Sequence, residues 1–285
     1  LTARGILYVG QAGTKWITLL AGAAIVVLLL RGDGKRLWNL PALLLLGYAA
    51  FSWLTVFWAM SGKFHLREGS KILIAVLVFL VVVLHKKRDG AYVRRVMTVI
   101  AGVAAICAAL SVVAGGFEFL NKALQSLPGF NGLLIAFGGS RLSGIFGNSN
   151  IESSVYAAGI FCTLGVLCGA EKKSERIVLS VLLAVNAFAF LLVFSMGAIV
   201  CFVVAVIAYL VFAGNGRAAA LVRMLEVGLP TLACGFAAFR LFSMQQTAAV
   251  TAVMLADAAI VAALELTVGG RLSAALAKRE KLVFG

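Results

Sequence analysis

Arg141 heads a stretch unlike its surroundings, RLSGIFGNSNIESS, residues 141–154, with four serines, two asparagines and glycines at 144 and 147. Together with Gly138 and Gly139, these glycines let the backbone turn tightly and bring its N–H groups close to a ligand. The spacing then predicts a helix start: Ser149 with Glu152 three residues on fits a capping box, and Asn148 or Asn150 would cap equally well. Free N–H groups and the helix dipole at such a terminus favour negative charge. Arg141 adds a guanidinium fork that matches a pair of diphosphate oxygens. The chemistry expected of these residues is therefore binding of a phosphate or diphosphate. The alternative is an interfacial anchor arginine beside an ordinary capped helix.

The elements that position this stretch are membrane helices. Of the 285 residues, 62% are hydrophobic and only 13% charged, and the mean hydropathy is +1.06; no single soluble domain buries that much apolar surface. A span needs about 20 apolar residues, and runs of that kind are expected near 13–30, 37–60, 68–84, 96–117, 151–169, 177–194, 198–213, 225–242 and 248–268. The predicted fold is thus all-α and polytopic, about nine spans in one transmembrane domain over 1–285. Both chain ends are expected to be cut from something longer. The net charge of +14 would suit nucleic acid in a soluble chain. Here the basic residues sit in short gaps between apolar runs, where lipid head groups meet them, so nucleic-acid binding is not expected. If every run crosses, seventeen of the 25 Lys and Arg residues fall on one side, including HKKRDG at 85–90. That side is cytoplasmic by the positive-inside rule, which puts residues 118–150 outside.

The long outer gap begins FEFLNKALQSLPG, a predicted short interfacial helix with Phe119, Leu120, Ala123, Leu124 and Leu127 on one side, ended by Pro128 and Gly129. The five cysteines all fall in apolar segments without a C-x-x-C or Cys/His grouping, so neither a disulfide framework nor a metal site is expected.

RLSGIFGNSN before a span, a basic gap EKKSER, another span and then FSMG resemble the O-antigen ligase and O-antigen polymerase superfamily of bacterial envelope proteins. Its members carry an arginine, a glycine and GNPN or a close variant before a helix, and an SRG-like turn two helices later. The resemblance covers Arg141 to Tyr209. It implies a metal-independent, cofactor-free transferase in the bacterial cytoplasmic (inner) membrane. Such an enzyme moves a glycan from a polyprenyl-diphosphate-linked donor to a lipid or glycan acceptor on the extracytoplasmic face. By that resemblance Arg141 is the catalytic residue that holds and stabilises the diphosphate. Gly144, Gly147, Asn148 and Asn150 shape the turn and cap, and Ser195 with Gly197 matches the second motif. Ser149 stands where proline is common, and Met196 where arginine is common. The family's large late outer loop, with its further basic residues and acceptor-activating histidine, has no counterpart among these 285 residues, and the general base is expected outside them.

Arg67 and Lys71, four apart at the start of the third expected span and on the outer side, are candidates for the missing positive charge. His65 is a weak candidate base. Asp257 falls near the middle of the ninth span, either as a proton site, as a partner for a basic side chain such as Arg240, or as a hydrogen-bonded packing residue. Two other function classes compete with the transferase: a transporter or lipid flippase, and a catalytically inactive scaffold relative.

Overall fold

The structure, a computed structural model, describes residues 90–126, 135–138, 141–146, 149–212 and 217–269, with isolated helical positions at Leu43, Leu46, Gly47, Ala50, Phe51 and Leu54. The chain divides into two compact units, 8–92 and 93–285 together with 1–7. The isolated helical positions belong to the first unit and lie within the expected span 37–60. Expected spans 13–30 and 68–84 lie outside the described residues.

The second unit is a helical bundle. Its elements in order are α1 (Gly90–Gly116, whose first turn reaches back across the unit boundary), α2 (Glu118–Gln125), β1 (Ala136–Gly138), β2 (Arg141–Ser143), α3 (Ser149–Leu167), α4 (Lys173–Val193), α5 (Met196–Phe212), α6 (Arg217–Ser243) and α7 (Thr247–Leu264), with a π-helical turn over Glu265–Gly269. Among the described residues five helices are long and apolar enough to cross a membrane: α1, α3, α4, α6 and α7 with its π turn. At a rise of 1.5 Å per residue, a 30 Å hydrocarbon layer takes about 20 residues. The apolar run Met196–Val211 in α5 is shorter than this class. The protein is thus all-α and membrane-like.

Short turns join α3 to α4, α4 to α5 and α6 to α7, and the contacts between helix ends define two opposite poles. At the first pole Ser111, near the end of α1, meets Ile145, and Gly116 lies against Thr247 and Thr251 at the start of α7. At the second pole Arg94 of α1 pairs with Glu175 of α4, and Glu265 reaches Arg176 and Arg223. The core between them is built of Ala104, Ala108, Ile160, Leu164, Leu183, Ala184, Phe188 and Val193 among others. Small residues let these backbones approach. An added Cβ on Gly159 would come within 2.6 Å of Asn186 Oδ1 and 2.7 Å of Ala104 Cβ, so α1, α3 and α4 meet at a point only glycine permits.

Side chains on the outer faces of α1, α5 and α6 remain apolar and exposed, among them Ile106, Val200, Val204, Ile207, Leu229 and Phe236. A helix apolar all round is expected where lipid replaces water.

The expected short helix forms as α2 and ends at Ser126, ahead of Pro128. Its Glu118 and Lys122 form an exposed i, i+4 pair. The Lys122 ammonium holds the Glu118 carboxyl below the usual carboxylate range. Asn121 Nδ2 donates to the Ile135 carbonyl, which ties α2 to the residue preceding β1. One feature that a helical reading of the sequence leaves out is the antiparallel pair β1–β2, with Ala136 opposite Ser143, Phe137 opposite Leu142 and Gly138 opposite Arg141.

Candidate functional site

Arg141 opens strand β2 and is exposed, while Leu142, the next residue, is fully buried. That alternation is the period of two that a strand imposes, and it anchors the strand through Leu142 while leaving the arginine out. Arg141 therefore sits on a strand, paired opposite Gly138, rather than on the open glycine turn its neighbours suggest.

The loop after β2 is tied into the bundle by two helices. Ile145 N–H donates to Ser111 Oγ of α1 at 3.1 Å, and Phe146 N–H donates to Glu152 Oε1 of α3 at 2.9 Å. The Tyr156 hydroxyl lies 2.6 Å from Glu152 Oε2 and 2.9 Å from Ser111 Oγ. It has one proton to give; donating it to the carboxylate and accepting from Ser111 satisfies all three groups. Glu152, Tyr156 and Ser111 are all fully buried. The expected capping box is thus modified: Ser149 is already the first helical residue of α3 rather than its cap, and the Glu152 carboxylate reaches back to the N–H of Phe146. Gly144 has a different reason for being glycine than a tight turn. A Cβ there would collide with both Glu152 carboxylate oxygens and with Ser111 Oγ.

The second motif arrives at the same pole. Helix α4 ends on Phe194 in the left-handed region, with φ 45°, a conformation that disfavours a side chain with a Cβ. This reversal places Ser195 as the cap of α5: its carbonyl accepts from Ile199 N–H at 2.9 Å, and its Oγ from Ala198 N–H at 3.4 Å. The same hydroxyl donates to Asn150 Oδ1 at 2.8 Å. The first turn of α3 and the cap of α5 are therefore pinned together, and two helix N-termini share one pole with the hairpin.

No family model, curated protein or solved structure matches the chain.

The other expected site residues separate from this group in different ways. Gly197 has open space around it and is not required to be glycine by packing. Met196, at the position where an arginine is common in the resembled family, is 68% exposed on the first turn of α5, so the position is open to the surroundings but carries no charge. Gly147, Asn148, Arg67, Lys71 and His65 lie outside the described residues. Asp257 is buried and accepts from Thr231 Oγ1 at 2.9 and 3.2 Å and meets the Cys234 thiol; both partners stand on α6, where Pro230 interrupts the backbone ladder. Arg240, the partner considered from sequence, is exposed.

At the second pole lies a cluster that sequence reasoning missed. Glu265 is buried between Arg176 Nε, 2.8 Å away, and Arg223, with Ser180 Oγ at 3.5 Å. Arg223 also pairs with Glu226 at 2.8 Å. All four residues stand near the ends of apolar runs, and that was the available signal. Taken singly, each looks like a residue reaching for head groups; only the crossing of α4, α6 and α7 turns them inward upon one another. Among the described residues no grouping of His, Cys, Asp and Glu could hold a metal ion, and the cysteines are free thiols.

Proposed function

We propose that this protein is a membrane glycan transferase of the O-antigen ligase and polymerase type. It transfers an oligo- or polysaccharide from a polyprenyl diphosphate donor to a lipid or glycan acceptor. In this reading the chain has nine spans in the bacterial cytoplasmic membrane, the pole carrying Arg141 faces outward, and α2 rests in the outer interface among membrane lipids. The observation that carries the proposal is the hydrogen bond between Asn150 and Ser195. It joins the two motifs on which the family resemblance rests, 45 residues apart in sequence, into one place.

In this reading Arg141 binds the diphosphate and stabilises the negative charge that grows on it as the glycosidic bond breaks, which is charge stabilisation aimed at the transition state. The N-termini of α3 and α5 add partial positive charge at the same pole. Arg67 and Lys71 supply the positive potential that Met196 does not.

The deciding experiment is glycan transfer by the complete protein in reconstituted membranes. Arg141→Ala is expected to abolish transfer with insertion and folding intact, and Arg141→Lys to restore little, because an ammonium cannot form the two-pronged contact. Full activity in the alanine variant refutes the proposal.

A second reading, a transporter or lipid flippase, is favoured by the buried ionic cluster at the opposite pole and by Asp257 within α7. Intramembrane ionisable groups commonly mark transport pathways. Substrate flux across vesicles carrying the wild-type protein, unaffected by Arg141→Ala, would select it.

A further inference from the structure

We propose that Glu152 is the positioning residue of the site: it holds the Gly144–Phe146 loop and, through that loop, fixes where strand β2 presents Arg141. The inference rests on the reading of Arg141 as the diphosphate-binding group.

Glu152 is fully buried, and it stands on the first turn of α3, two residues after the Asn150 that accepts from Ser195. A carboxylate taken out of water is costly unless donors surround it. Here the donors come from the Phe146 backbone and the Tyr156 hydroxyl. An apolar side chain would fill the space between α1 and α3 as well, but it would not bind the loop.

The backbone of Gly144 runs directly against the carboxylate, since a single added Cβ would collide with both of its oxygens. With Ile145 N–H bound by Ser111, two consecutive amides are fastened to two different helices. Only Leu142, Ser143 and Gly144 separate this fastening from Arg141, and Leu142 is itself buried. Little slack remains, so a shift of the loop is carried to the guanidinium. A displacement of about 1 Å in a positioning element is enough to lower a rate about a hundredfold.

The test uses the complete protein in lipid nanodiscs, with Glu152→Gln and Tyr156→Phe. Glutamine keeps one acceptor oxygen but presents an amide N–H₂ group to one of the two donors. Tyr156→Phe keeps the ring and removes the hydroxyl that orders the second oxygen. Backbone hydrogen exchange at Ile145 and Phe146 is expected to quicken in both variants while exchange within Leu179–Phe190 stays as in wild type. Transfer from a polyprenyl-diphosphate-linked glycan is expected to lose about a hundredfold in kcat for Glu152→Gln, with donor KM and melting temperature little changed. Unaltered exchange at Ile145 and Phe146, or full kcat in both variants, overturns the inference. So does a kcat loss that merely follows a lowered melting temperature, since that marks a general structural role. If the wild-type protein transfers no glycan, the transferase reading fails by itself, and the exchange measurement still decides whether Glu152 holds the loop.

Discussion

Ser195 donates its hydroxyl proton to Asn150 Oδ1 at 2.8 Å and at the same time caps helix α5 through Ala198 N–H. One small side chain thus does two structural jobs, joining two helix starts and closing one of them. The residues are 45 apart in sequence and come together because α4 runs back along α3 to the pole where α3 begins and ends there at Phe194.

If that bond contributes on its own, Ser195→Ala and Asn150→Ala should show a coupling of about 0.6 kcal/mol, and at most about 1.7 kcal/mol, in a double-mutant cycle of unfolding, the average and the maximum found for interhelical hydrogen bonds in membranes. Ser195→Ala should cost more than Asn150→Ala, because it also loses a cap of about 1 kcal/mol. Additive single costs would mean the two groups meet without stabilising each other.

The buried cluster around Glu265 predicts a steep asymmetry between its members. Glu265→Ala takes one of two buried counter-charges from Arg223, 3% exposed, and leaves it Glu226. Stripping a buried charge of its partner costs about 3–5 kcal/mol, and the retained Glu226 keeps the loss toward the lower end of that span. Arg176→Ala leaves the buried Glu265 still paired with Arg223 and removes an arginine that is itself partly exposed, with a side-chain accessibility of 20%, so it should cost clearly less. Equilibrium unfolding in mild detergent checks both. Equal costs would mean that Arg223 alone does not compensate the Glu265 carboxylate.

Asp257 and Thr231 form a polar contact within the bundle between α7 and α6. Asp257→Asn keeps an oxygen that accepts from Thr231 Oγ1 and should change stability by less than about 1 kcal/mol. Asp257→Leu leaves that hydroxyl buried without its acceptor and should cost about 1–3 kcal/mol. The same pair of variants separates packing from transport. A proton- or ion-carrying Asp257 would lose flux in Asp257→Asn with stability unchanged, whereas a packing residue would show the stability difference alone.

Composition alone determined that this is a membrane-like helical protein, because apolar residues in runs of about twenty leave no other way to bury so much surface. The start of α3 near residues 148–150, and the end of α2 short of Pro128, were also legible, since caps and helix breakers act within a few residues of themselves. What lay beyond local reach was decided by tertiary packing. The sequence placed Arg141 in a glycine-rich turn, but pairing with residues 136–138 put it on a strand. Glu152 had the spacing of a capping residue; burial against Tyr156 and Ser111 directed its carboxylate to the loop. Glu265 and Arg223, 42 residues apart, became partners only where α6 and α7 cross. A periodic pattern fixes which residues face inward, but which inward groups meet depends on helix order and crossing. Those are set by close contacts such as Gly159 against Asn186 and Gly116 against Thr251, where the absence of a side chain on one helix lets a polar group on another come near.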